Sequence, residues 1–234
     1  MNPTGFTLAD RPVTPGVLRL EYRVLALFLA LAACPAAMPS ANPMNRAANP
    51  DLYARKLSAA RNAYFRVITT SDHAADLDAH QALDDLERDY PGDPTALAYH
   101  GSLELLDAAH NWQIWNLPRQ AADGLSRLDE AVRQAPDDPE ARFIRAATSW
   151  HLPAFYRRRQ QCEDDFRWLA QRAQDDAVHG TLPPALAAAS FNYWGQILVR
   201  RKDIASAKLA FQSAIAIAPE SPGAKDAAQR LRRL

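Results

Sequence analysis

Glycine is scarce in this chain, at 8 of 234 residues. That is too few for a nucleotide cradle, and the sequence holds no Gly-rich phosphate loop, no GxSxG, no HExxH and no CxxC. The chain therefore reads as a non-enzyme, with no cofactor and no metal expected. Cysteine is scarcer still: Cys34 and Cys162 cannot form a disulfide framework. Charge of one sign is not in excess. The 27 basic and 27 acidic residues are interspersed, which argues against a nucleic-acid partner. No apolar run reaches the roughly 20 residues that a membrane-spanning helix needs. What is present is a composition 48% hydrophobic and 23% charged, a globular balance. Ala, Leu, Arg and Gln recur, and these cost little in helical conformation. An all-α fold is the expectation.

The first 33 residues do not read as part of that fold. Arg19 and Arg23 flank the entrance to a ten-residue apolar run, Val24 to Ala33. Ten helical residues span roughly 15 Å, about half a bilayer core, so a secretory signal fits better than a membrane span. The run ends Leu31-Ala32-Ala33-Cys34. This resembles the bacterial lipobox, and the resemblance implies that Cys34 is lipidated and becomes the new N-terminus. Pro35, rather than Asp, follows it, which under the same resemblance leans towards the outer membrane. Two alternatives stay open: a chance Cys beside an ordinary signal, or cleavage after Ala41, which would place Pro39 where a small residue is wanted. Residues 34–48 are small, Pro-bearing and nearly uncharged, and read as a tether reaching roughly 20 Å.

From residue 49 onward the punctuation repeats. Asn49-Pro50, Asp93-Pro94, Asp138-Pro139 and Ser221-Pro222 each set a capping side chain before a proline, and Pro183-Pro184 marks another start. A capping oxygen accepts an orphan backbone N–H, and proline at the first helical position has no N–H to waste. The starts lie 44, 45, 45 and 38 residues apart. A second pattern sits between them. Small residues at Ala79, Gly124, Cys162 and Ala207 are followed four residues on by Leu83, Leu128, Phe166 and Phe211. Three further on come Leu86, Ala131, Leu169 and Ala214. Offsets of four and three keep each set on one helical face. The spacing predicts helices at 50–70, 74–90, 94–109, 118–135, 139–151, 155–176, 184–200, 203–218 and 222–232.

The small–large–small pattern closed by Pro91, Pro136 and Pro219 resembles the tetratricopeptide repeat. The last unit matches best, through Phe191, Trp194, Gly195, Leu198, Ala207, Phe211, Ala214 and Pro219. Earlier units depart: Gly101 to Gly124 spans 23 residues, longer than the family interval, and Gln174 stands where the terminal proline belongs. The resemblance implies a solenoid of about four diverged helical hairpins over 49–234, with the last helix as a cap. With the lipobox it implies the lipoprotein type: a scaffold or adaptor anchored in the cell envelope, facing the periplasm. Its partner would be a protein or peptide, and it would touch the membrane through its N-terminus. Such lipoproteins commonly serve in outer-membrane, pilus or secretion assembly. A secreted or soluble periplasmic form is the alternative location. The alternative function is a small apolar-ligand binder, similar to repeat lipoproteins associated with solute transporters.

Three features could carry recognition. The two hairpin turns of the second and third units hold Trp112 and Trp115, then Trp150, His151 and Tyr156 beside Arg157, Arg158 and Arg159. Aromatics with arginines are the usual anchors of binding sites. The same aromatics could equally bury one another as a satellite core beneath a long loop. A polar stripe of His73, Asp76, His80, Asp84 and Glu87 shares one helical face, the pattern of a solvated surface or, less often, of metal ligands. Cys162, in a small-residue slot, reads as a buried helix-contact residue.

Overall fold

The structure, a computed structural model, describes residues 49–70, 72–110, 117–176 and 182–234. The signal segment 1–33, the tether 34–48 with Cys34, and Trp112 and Trp115 lie outside the described residues. Among those described there are nine α-helices and no strand. They are α1 (Pro50–Thr70), α2 (His73–Asp89), α3 (Pro94–His110), α4 (Leu117–Gln134), α5 (Pro139–Trp150), α6 (Arg159–Asp176), α7 (Pro184–Arg200), α8 (Ile204–Ile217) and α9 (Pro222–Leu231). None is long and apolar enough to cross a membrane.

The starts at 50, 94, 139, 184 and 222 fall where the prolines predict them, and the caps supply the reason. Asp138 accepts the amides of Glu140 and Ala141, at 2.9 and 3.1 Å, with Pro139 opening the helix. Asn49, Asp93 and Ser221 each accept one amide three residues on. Pro183 caps with its backbone carbonyl, which receives Leu186 and Ala187.

One boundary differs. The second helix of the third hairpin begins at Arg159, not 155. A short 3-10 turn, Ala154–Tyr156, precedes it, and Arg157 is left-handed at φ 56°. A left-handed non-glycine residue breaks helical continuity and restarts the chain in a new direction.

The helices pair in order, α1 with α2, α3 with α4, α5 with α6 and α7 with α8, while α9 closes on α7 and α8. Each hairpin's second helix also touches the next hairpin's first, giving a repeat-like stack of helical hairpins. The small and large slots sit in the core: Ala79, Leu83, Leu86, Leu128, Ala131, Phe166, Leu169, Ala207, Phe211 and Ala214 are fully buried, and Cys162 nearly so. Gly101 and Gly124 set the distance between α3 and α4. A Cβ on either would lie 2.6–2.7 Å from the other's carbonyl oxygen, so only glycine admits the crossing.

The first helices α1, α3, α5 and α7 form a continuous row. Buried polar groups stitch it together. The Tyr64 and Ser102 hydroxyls meet at 2.6 Å, and Ser102 meets Thr148 at 2.7 Å. Thr95 donates to Asp138 at 2.9 Å. Each of these four hydroxyls thereby finds a partner, which removes the desolvation cost of leaving it unpaired.

Candidate functional site

Arg61 and Phe65 of α1, Tyr99 of α3, Glu140 of α5 and the start of α7 all border one cleft of about 260 Å³, with Ala218–Ser221 as its far rim. Arg61 reaches Glu140 across the second hairpin, donating from both Nε, at 2.5 Å, and Nη2. Tyr99 donates to the same carboxylate at 2.9 Å. Burial alone would lower the Arg61 guanidinium, but the Glu140 charge and its hydrogen bonds raise it above its ordinary range. Burial, then Glu140, pushes the Tyr99 phenol up. The cleft thus has a charged, donor-rich floor and walls of Phe65, Leu186, Pro183 and Pro219.

Sequence reasoning missed these residues. Arg61 and Glu140 are 79 positions apart, and Glu140 stands in the first turn of a helix, where an acidic residue has an ordinary reading. No spacing links them; only the packing of the hairpins brings them together.

Of the aromatic edge, Trp150, His151, Tyr156 and the three arginines are among the described residues, and they make separate contacts. Trp150, at the end of α5, is half-buried and meets Phe166 at 6.0 Å and Tyr193 at 5.2 Å, edge to face. Its other face carries the Arg200 guanidinium at 3.9 Å. His151 caps α5, and burial lowers its pKa to about 4. Tyr156 lies beside Phe155, which is 75% exposed. The three arginines part company. Arg157 sits at the left-handed turn and Arg159 is exposed, while Arg158 turns back to Asp129 at 2.5 Å and to Gln161 at 2.9 Å. Cys162 is buried and donates to the Ala146 carbonyl at 3.3 Å, and burial pushes its thiol up, so it stays protonated.

The polar stripe divides as well. Asp76 and His80 of α2 meet Asp107 of α3, with ligand atoms within 4.8 Å of one another. His80 Nε2 is 2.9 Å from Asp107, and this hydrogen bond, against partial burial, raises the imidazole. Burial, then the Asp107 charge, raises Asp76. Two carboxylates and an imidazole are donors suited to a divalent cation, and in this structure they are hydrogen-bonded to one another through His80 and Asp107. Asp84 and Glu87 instead face His100, at 3.9 and 3.2 Å.

Comparison with family models, with curated proteins and with solved structures finds no match to this chain.

Proposed function

We propose that the protein is a tetratricopeptide-like scaffold of the cell envelope, lipid-anchored through Cys34, which holds a segment of a protein partner in the cleft between its first helices. The observation that carries this reading is the cleft itself, bordered by all four hairpins. Apolar walls around one satisfied ion pair suit an extended peptide: side chains fill the apolar part, and backbone groups or a terminal carboxylate meet the polar floor. At about 260 Å³ the space suits one or two side chains better than a whole drug-sized ligand. The small apolar-ligand reading asks for a dry, closed cavity behind Trp112 and Trp150, and Trp112 lies outside the described residues. The space beside Trp150 sets Arg158, Arg159, Glu163 and Arg200 opposite Leu152, Pro153 and Ala154, a mixed lining that suits a charged ligand better than a wholly apolar one.

Site-specific photocrosslinking in intact membranes tests the scaffold reading. A crosslinker at Ala185, on the cleft wall, should give a discrete adduct that one at exposed Lys208 does not. Matching adduct patterns at both positions, or none at Ala185, would remove the cleft from the account. An unmodified mature peptide beginning after Ala41, in mass spectrometry, would remove the lipid anchor separately.

A further inference from the structure

A second cavity, of about 350 Å³, opens at the turn of the third hairpin and shares no lining residue with the cleft. Its charges do not balance. Of the four charged side chains on its wall, Arg158 is neutralised by Asp129 and Glu163 by Arg201, each at 2.5 Å. Arg159 and Arg200 have no carboxylate within ion-pairing distance among the described residues. Arg200 lies over the Trp150 ring instead, and burial, then the Arg159 charge, lowers its pKa. Two like charges are thus held at one opening, and the one carboxylate among its lining residues, Glu163, is already paired with Arg201.

Two more donors converge there. Ser149, a residue of the cavity lining, is 5% exposed, and its hydroxyl is buried and without a hydrogen-bond partner. A buried hydroxyl left unpaired is costly, and native structures rarely keep one without cause. The first turn of the 18-residue helix α6 forms the opposite wall. Its first internal bond runs from the Cys162 amide to the Arg158 carbonyl, so the amides of residues 159–161 precede the ladder. The Arg158 side chain, committed to Asp129, is a donor and cannot cap them.

We propose that this cavity binds a dianionic oxyanion of the phosphate-monoester class, carried on a small organic body. Two guanidinium groups fork onto oxyanions, a helix N-terminus favours negative charge, and the Ser149 hydroxyl completes the donor set. The net charge of two on the free arginines matches the dianion. The volume exceeds what a lone phosphate fills, and Leu152 and Pro153 offer the remainder an apolar wall. This site is independent of the peptide cleft.

The test is titration of the detergent-solubilised full chain with phenyl phosphate, inorganic phosphate and phenol, followed by calorimetry and tryptophan fluorescence at low salt. Phenyl phosphate should bind saturably, tighter than inorganic phosphate, and phenol should not bind. Arg159→Gln, at an exposed position, should weaken phenyl phosphate about tenfold or more with an unchanged melt. Arg200→Gln should weaken it similarly. Ser149→Ala should weaken binding yet raise the melting temperature of the free protein, a combination that a purely structural serine would not give. No saturable phenyl phosphate binding, or binding undiminished in both arginine variants, would overturn the site. Inorganic phosphate binding as tightly as phenyl phosphate would overturn the organic body. Displacement of phenyl phosphate by phosphatidic-acid vesicles, but not by phosphatidylcholine vesicles, would move the phosphate to a lipid headgroup and overturn the small-molecule assignment.

Discussion

Phe211 is fully buried against the bare Cα of Gly195: a Cβ there would meet its ring at 2.5 Å. Phe211→Ala and Leu128→Ala should each cost about 2–5 kcal/mol, the range for emptying a well-packed core position. Gly195→Ala should destabilise by overpacking, about 1–3 kcal/mol, and Phe211→Leu in the same chain should recover part of that loss. Gly101→Ala admits no such rescue, because the obstacle is the Gly124 carbonyl at 2.6 Å, a backbone atom. Urea denaturation of these variants, and of Phe211→Leu alone, checks the ordering; additivity of Gly195→Ala and Phe211→Leu would show that the two do not touch. His151 makes a different kind of prediction. Its imidazole is held neutral down to a pKa of about 4, so between that value and the ordinary 6.5 the unfolded chain binds a proton that the folded chain does not. Stability therefore falls as pH drops through this window, by at most about 3 kcal/mol from this residue. His100, also lowered, chiefly by burial, acts in the same direction. His151→Gln should flatten the decline between pH 6.5 and 4.5 without abolishing it, and an unaltered decline would rule His151 out as its source.

At the scale of the helix, the caps are unequal. The Asp138 carboxylate is buried, accepts two amides and takes the Thr95 hydroxyl from the neighbouring hairpin, whereas Asp203 is exposed and accepts one amide at 3.1 Å. Asp203→Ala should cost about 1 kcal/mol, an ordinary cap. Asp138→Ala should cost about 2–4 kcal/mol, because it also strands a buried hydroxyl. Chemical denaturation of both variants decides it, and equal losses would mean that the Thr95 bond contributes nothing. These elements were legible in the sequence because caps, prolines and offsets of four and three are local signals. The start of α6 was not, since a left-handed Arg157 carries no mark that distinguishes it from the arginines beside it. The sites were less legible still. Trp150 and Arg159 could be singled out as candidates, but Ser149 and Arg200 look like ordinary helix residues until α5, α6 and α7 are packed together. The cleft depends on pairs such as Arg61 and Glu140, which no periodicity connects.

At the scale of the molecule, the Arg61–Glu140 pair joins the first hairpin to the third without passing through the second. Stacks of this kind owe their stability to contacts between neighbours, so a direct bond between next-nearest units changes how the whole comes apart. Arg61→Met alone leaves the carboxylate buried and uncompensated, and should cost about 3–5 kcal/mol. The double substitution Arg61→Met, Glu140→Met should recover much of that, though Tyr99 then loses its acceptor. Amide exchange in α1 should rise in the single variant, and unchanged protection there would mean that the pair does not hold the first hairpin in place. Mechanically, a stack of hairpins is a coil spring, free to lengthen by small rotations at each joint. The guanidinium and carboxylate act as a strut across a turn of that spring, so its end cannot open without first breaking a charged bond in a poorly hydrated place. The pair therefore fixes the spacing of the first and third hairpins along one side of the cleft, and the compliance of the molecule is left to the fourth hairpin and the start of α9, which carry its other rim.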